Sequence, residues 1–335
     1  MRPYVTVKEN NILDELLGAL EQSLYRFKEY RDLAGIMLDG GLSRGYGDRL
    51  SEIDVVLFLH ETGCAYYKEH QTPTALGITK IDGYLFDVKL LNYEEELEKK
   101  YDDVGLWDLS YAKILYDPEG ALQKLFDDKL QKKVLPEHAG GNMFNAWWYF
   151  RLAGDIWINR GDSCQGHMML NEAVKKLVSA LFQLNGEYIP HEKWLLHMSR
   201  TLEWKPEEWD YKLQQMMSTG DMSLADLQAR QKCIEEVYNE IDAHLCELLG
   251  NHSGLGTMYQ YFYDLLPKLM QKDSYSIEEW NEVSDIESLQ GEPLHSLFHV
   301  EGDRVIFDRQ KFMTLDESQM YEWFLTVVKA VRTEL

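Results

Sequence analysis

Along the first 135 residues the spacing of hydrophobic positions changes several times, and each change predicts an element. In NILDELLGALEQSLYRFKEY (11–30), Ile12, Leu13, Leu16, Leu17, Leu20 and Leu24 recur at helical spacing, which predicts an amphipathic helix. GIML (35–38) reads as a short strand. VVLFL (55–59) is an unbroken apolar run, as a buried central strand requires. YLFDVKLL (84–91) alternates, with Tyr84, Phe86, Val88 and Leu90 on one face and Leu85, Asp87 and Lys89 on the other. ALGITKI (75–81) precedes it across Asp82-Gly83, the strongest two-residue hairpin signal in the chain. A helix near 92–101, a short strand in AKILYD (112–117) and a helix from Pro118 to about Lys133 complete this part.

Leu135-Pro136-Glu137-His138-Ala139-Gly140-Gly141 ends the periodicity and reads as a linker. Beyond it the spacing is helical. MFNAWWYFRLAGDIWIN (143–159) and HMMLNEAVKKLVSALFQLNG (167–186) predict apolar-rich helices. A longer helix over 223–250 opens on Ser223 and Asp226, a weak variant of the capping box, and stops at Gly250. Its stripe of Leu224, Leu227, Ile234, Val237, Ile241, Leu245 and Leu248 is core packing. The acidic, Ser-rich stretch 273–293 predicts a surface covering, VIFD (305–308) a short strand, and Ser318 to Thr333 a closing helix. The expected fold is α/β (α+β), a mixed sheet with flanking helices over 1–138 followed by an all-α helical bundle over 139–335.

The chemistry concentrates in residues 35–59. Gly40, Gly41, Gly45 and Gly47 form a turn whose backbone can approach a bulky anion. Glu52 and Asp54, at i and i+2 of the strand that follows, share one face. Asp87, a mid-strand carboxylate among apolar residues, is costly to bury unless paired or bound to a metal. A phosphate-cradling turn beside paired carboxylates suits a metal-dependent enzyme that acts on a nucleoside triphosphate. GLSRG (41–45) also fits the G-x-S-x-G elbow of serine hydrolases. That elbow must lead into a full helix, and the next strand begins too soon for one.

Gly40-Gly41, Glu52-Ile53-Asp54 and Asp87, in that order, resemble the signature of the nucleotidyltransferase superfamily that includes the aminoglycoside and lincosamide adenylyltransferases. Ser43-Arg44-Gly45 resembles the family's continuation of the turn. The resemblance covers roughly residues 35–90, with an α/β catalytic domain and helical second domain as the family's layout. The family's usual first carboxylate is Asp. Glu52 is one methylene longer and keeps the oxygen ligands that Mg²⁺ prefers.

The resemblance implies two Mg²⁺ ions held by Glu52, Asp54 and Asp87, with ATP as co-substrate. Gly41 and Ser43 would meet the β- and γ-phosphates, Arg44 would pair with them, and Lys89 would touch a phosphate or balance local charge. Asp87 is the first candidate for general base and Asp155 the second, although Asp155 also suits a helix contact with Arg151. Arg160 and His167 resemble the short R-x4–6-H signature of HEPN-type ribonucleases, but an ordinary interhelical loop is the better reading. Two other readings remain open: a nucleotide- or partner-binding protein on a degenerate scaffold, and a protein-AMP transferase of toxin–antitoxin type.

Composition narrows the acceptor. With 57 acidic against 34 basic residues the net charge is −23, and no Lys/Arg cluster is present to neutralise phosphates. Nucleic acid is therefore not the expected acceptor. An acidic field concentrates cations, which favours a small, cationic, aminoglycoside-like hydroxyl compound. No apolar run reaches membrane-span length and the N-terminus lacks a signal-peptide core, so no membrane partner is expected. Cys64, Cys164, Cys233 and Cys246 are scattered without a C-x-x-C pair, as expected of thiols in a cytoplasmic protein.

Overall fold

The computed structural model describes residues 10–251, 253–283, 294–315 and 322–334. Two compact units are present, residues 1–238 and 239–335. The α/β part and the helices between residues 139 and 238 therefore belong to one unit. Gly140 and Gly141 lie inside the helix Ala139–Trp147, so the segment read as a linker is largely helical.

The first unit is built on a five-stranded mixed sheet. Its strands are β1 (Leu33–Leu38), β2 (Ile53–Leu59), β3 (Gly77–Ile81), β4 (Tyr84–Asn92) and β5 (Lys113–Tyr116), in the order β3-β4-β2-β1-β5. β2 and β4 are parallel neighbours, and the other pairs are antiparallel. The β3–β4 hairpin turns on Asp82 and Gly83, at φ 48° and 95°, the two positive angles that an Asp-Gly turn supplies.

Burial on both faces explains why β2 is apolar from Val55 to Leu59. Ile53, Val55, Leu57 and Leu59 pack beneath the helix Leu13–Phe27, with Ile36, Leu38, Phe86 and Val88 of the flanking strands. Val56 and Phe58 point the other way, into a second core with Met37, Tyr93, Leu109, Leu122 and Leu125. Asp54 shares their parity, as Asp87 and Lys89 do on β4, so all three belong to the second face.

Helices Ala139–Trp147, Gly154–Arg160, Ser163–Leu184, Glu192–Ser199 and Trp209–Met217 follow. A π-helical turn, Trp148–Ala153, joins the first two, and the Gln231 side-chain amide donates to the Phe150 carbonyl there (2.7 Å). At the start of the helix Leu224–Leu248, the Ser223 hydroxyl accepts from the Asp226 amide (3.1 Å), as the capping pattern predicts.

The second unit is helical, with the helices Thr257–Leu269, Ile277–Val283, Arg309–Met313 and Glu322–Glu334, and it adds a small sheet to the expected bundle. Strands β6 (Ser274–Ser276), β7 (Phe298–Glu301) and β8 (Arg304–Phe307) pair antiparallel in the order β6-β8-β7. Trp280, Phe298, Phe307 and Phe312 form much of its core with Leu266, Val327 and Val328. The expected start of the closing helix at Ser318 lies outside the described residues.

Candidate active site

The glycine turn is a single helical turn, Gly40–Ser43, placed directly after β1. No full helix follows, which removes the serine-hydrolase elbow. Gly40 has φ +69°, and a Cβ there would lie 1.7 Å from Asp54 Oδ2. Glycine is thus required twice, by the backbone angle and by the carboxylate against it. The Asp39 amide donates to the Asp54 carbonyl (3.0 Å) and fastens the turn to β2.

Asp54 and Asp87 are register neighbours across β2 and β4. Lys89 lies beside both, its Nζ 3.3 Å from Asp87 and 3.9 Å from Asp54. Glu52 sits just before β2, not on it, and lines the same cleft as Asp54. That cleft holds about 370 Å³; Gly40, Gly41, Asp39 and Lys89 line it, as do Lys193 and Trp194 of the helix Glu192–Ser199. Asp87 and Ser43 are not among its walls. The Ser43 hydroxyl is turned back onto the Gly40 carbonyl (2.9 Å), and the sequence-based role for it as a phosphate contact has no geometric counterpart.

Arg44 is built into the wall. Its side chain is 3 % exposed, paired with Asp108 and 3.7 Å from Asp39. The guanidinium lies 4.4 Å from the Trp107 ring centroid and 5.2 Å from that of Trp194. It organises the cleft from within, through groups far apart in sequence. Arg44→Ala is expected to destabilise the protein by roughly 2 kcal/mol, because the buried side chain loses its packing on Trp107 and Trp194 together with its pair to the partly exposed Asp108. Arg44→Lys, which lacks the planar fork, should recover only part of that loss. Denaturant midpoints of the three proteins measure both effects.

Asp54 is the electrostatic centre. Burial raises its pKa to about 6; Lys89 works against the rise, and Asp39, Glu52 and Asp87 add to it. For Lys89, burial pulls downward, but Asp54 and the hydrogen bond to Asp87 outweigh it and the pKa is raised. Burial also raises Asp108, against the pull of Arg44. A carboxyl raised on folding contributes stability that is fully present below its unfolded pKa and is lost as pH rises through the folded value. For Asp54 that window runs from about pH 4 to about pH 6, and the penalty above it is roughly 3 kcal/mol. Asp54→Asn should therefore melt several degrees higher than the wild type at pH 7.5 and at nearly the same temperature at pH 4. Equal melting temperatures at pH 7.5 would mean that Asp54 is not held unfavourably.

The donor set suits a hard divalent cation, being carboxylate oxygens throughout. Asp39 Oδ1 is buried without a hydrogen-bond partner, and the Asp54 carboxylate lies where a Cβ of residue 40 would stand. Among the described residues, no three His, Cys, Asp or Glu side chains already converge as a metal site. Lys89, between Asp54 and Asp87, serves as their counter-ion.

Other candidates fall elsewhere. Asp155 pairs with Arg151 (3.6 Å) and accepts from Gln231 Nε2 (2.7 Å), the helix contact that its spacing predicts, and it does not line the cleft. Arg160 stacks on Trp157, and His167 is buried against Arg230 (3.1 Å), so that pair serves packing. Sequence reasoning missed Asp39, Asp108, Lys193 and Trp194. Asp39 had a signal, since it continues the alternation of β1 on the parity of Met37.

Residues 100–195 match a family model described as a domain of unknown function, DUF4037. That span includes Asp108, Lys193 and Trp194. No curated protein shows a significant match to the chain. Among solved structures, the chain is similar to a nucleotidyltransferase-like protein from Exiguobacterium sibiricum 255-15. The identity is 10 %, the TM-score 0.35, and the alignment covers 87 % of this chain and 97 % of that one. No helix among the described residues is long and apolar enough to cross a membrane.

Proposed function

We propose that the protein is a nucleotidyltransferase that moves AMP from ATP to a hydroxyl of a small acceptor and releases pyrophosphate. One observation carries the reading: Asp54 and Asp87 are neighbours on adjacent parallel strands, and the Gly40 backbone closes directly against the Asp54 carboxylate. This puts paired carboxylates next to a backbone that a triphosphate can approach. Glu52, Asp54 and Asp87 would hold two Mg²⁺ ions, which when bound would offset phosphate charge and acidify the acceptor hydroxyl.

The remaining work belongs to the chain. Lys193 and Lys89, both lining the cleft, supply cations for the phosphates. Trp194, flanked by Tyr46 at a ring distance of 6.5 Å, offers an aromatic face to a nucleobase. Arg44 reaches phosphates only through the field it adds, because Asp108 and the two indole rings hold it. With Asp155 outside the cleft, proton removal falls to a carboxylate beside the glycine turn or on the strands, Asp39, Asp54 or Asp87. RNA is not an acceptor on this reading. Gel shifts with tRNA and single-stranded RNA should show no salt-sensitive complex, and a tight one would contradict it.

The test is pyrophosphate release from Mg²⁺ and ATP across a panel of hydroxyl compounds. Lys89 between the two carboxylates, together with Glu at position 52, favours a second reading, a nucleotide-binding protein without turnover. ATP binding with no pyrophosphate from any acceptor would select it.

A further inference from the structure

A second cavity, of about 440 Å³, adjoins the carboxylate cleft. Asp39, Lys89 and Asp108 line both. Its floor is Met37 of β1, Val56 and Phe58 of β2 and Leu91 of β4, and Leu109 and Tyr101 wall it. The floor is the apolar continuation of the rows that carry Asp39, Asp54 and Lys89, since residues two apart on a strand share a face.

The polar groups around this cavity are mostly matched to one another. Glu96 accepts from Lys99 (2.9 Å) and from the Tyr101 hydroxyl (2.6 Å), Asp102 accepts from the Gly105 amide (2.8 Å), and Asp108 pairs with Arg44. Asp39 differs. Its Oδ1 is buried without a hydrogen bond, 3.7 Å from the Arg44 guanidinium, while the side chain keeps 20 % exposure and lines the cavity. A volume of this size is that of a small-molecule site, and such sites combine an apolar lining with a few placed polar groups.

We infer that this cavity is the acceptor subsite and that it takes a neutral, largely apolar molecule offering one hydroxyl to Asp39. The inference rests on the transferase reading for its chemistry. Lys193 and Trp194, the groups suited to a nucleotide, line the other cleft. Charge matching around the second cavity leaves no excess of carboxylate to select a cation, so the acceptor narrows from a cationic compound to an uncharged one. In the step itself, the acceptor oxygen bonds to the α-phosphorus of ATP. The bond from that phosphorus to the bridging oxygen breaks, pyrophosphate leaves with the electron pair, and the hydroxyl proton passes to Asp39.

The experiment uses the full chain, labelled at methionine methyls and titrated with 2-naphthol as probe. A saturable shift of the Met37 resonance, identified with Met37→Leu, is expected. This readout on the wild type does not depend on a cavity-filling variant folding. Leu91→Trp, which fills the cavity, should weaken 2-naphthol by about tenfold or more, while 2-methoxynaphthalene, with no proton to donate, should bind the wild type about tenfold more weakly than 2-naphthol. Asp39→Ala should erase the difference between the two compounds. An unmoved Met37 resonance, or unchanged 2-naphthol affinity in a folded Leu91→Trp, overturns the inference. Displacement of 2-naphthol from Met37 by ATP also overturns it, because the cavity would then belong to the nucleobase. If 2-naphthol behaves as expected while the wild type neither binds ATP nor releases pyrophosphate, the cavity stands and the transfer reading fails.

Discussion

Asp54→Ala is expected to lower turnover by about a thousandfold or more, on the scale of several kcal/mol of transition-state stabilisation. Asp54 is less exposed than Asp87, 13 % against 20 %, and burial raises its pKa despite the nearby Lys89. Removing Asp54 should leave folding intact or improved, because its charge is held at a cost. Loss of activity with gain of stability separates a functional carboxylate from a structural one. Paired steady-state kinetics and thermal melts read both quantities. Wild-type turnover in Asp54→Ala would place the chemistry elsewhere. Asp87→Ala should be as inactive, but with less gain in stability, since Lys89 would lose its hydrogen-bonded partner.

Gly40→Ala is the second large effect. The substitution imposes a positive φ on a residue with a side chain and drives its Cβ to 1.7 Å from the Asp54 carboxylate. Backbone strain and overpacking together should cost roughly 2–4 kcal/mol. Relief would come by moving Asp54, so metal-dependent ATP binding should disappear as well. Gly41 is the control. A Cβ there meets the Tyr46 carbonyl at 3.2 Å and the Trp194 ring at 3.6 Å, without a positive φ. Gly41→Ala should fold normally, whereas Gly41→Val should narrow the cleft and weaken ATP. Denaturant melts with ATP titrations distinguish the two positions, and equal stability of Gly40→Ala and Gly41→Ala would contradict the assigned packing.

The readable parts of the fold were those set by local pattern. Alternation in YLFDVKLL placed Asp87 and Lys89 on the face opposite Phe86 and Val88, as the structure has them. Asp82-Gly83 named the hairpin because two adjacent positive angles have few sequence solutions. That the strand of Asp87 could pair beside the strand of Glu52 and Asp54 was legible from the hairpin and the resemblance, and β2 and β4 are neighbours. The parallel register that sets Asp54 opposite Asp87 was not. It depends on β4 pairing with β2 in parallel while β3 takes the outer place, a choice made by tertiary packing. The helix Asp103–Tyr111 escaped because DVGLWDLSY has no clean apolar stripe. Its start was marked only by Asp102, whose side chain caps the Gly105 amide. Arg44 looked like a phosphate ligand because it stands in the turn that resembles the family's. Trp107 and Asp108, more than sixty residues away, bury it. Gly140-Gly141 resembled a linker, yet the helix Ala139–Trp147 includes both glycines.

Transfer of AMP at the cleft lined by Glu52 and Asp54 is the central claim, and one measurement meets it most directly. The wild type and Asp54→Asn are incubated with Mg²⁺, ATP labelled at the α-phosphate and a library of small hydroxyl compounds, and the products are read by mass spectrometry. The expected result is an acceptor whose mass increases by one AMP residue and which carries the label. Pyrophosphate should appear in equal amount, and Asp54→Asn should form neither product. Release of unmodified AMP or phosphate alone, or an adduct formed equally by Asp54→Asn, would contradict it.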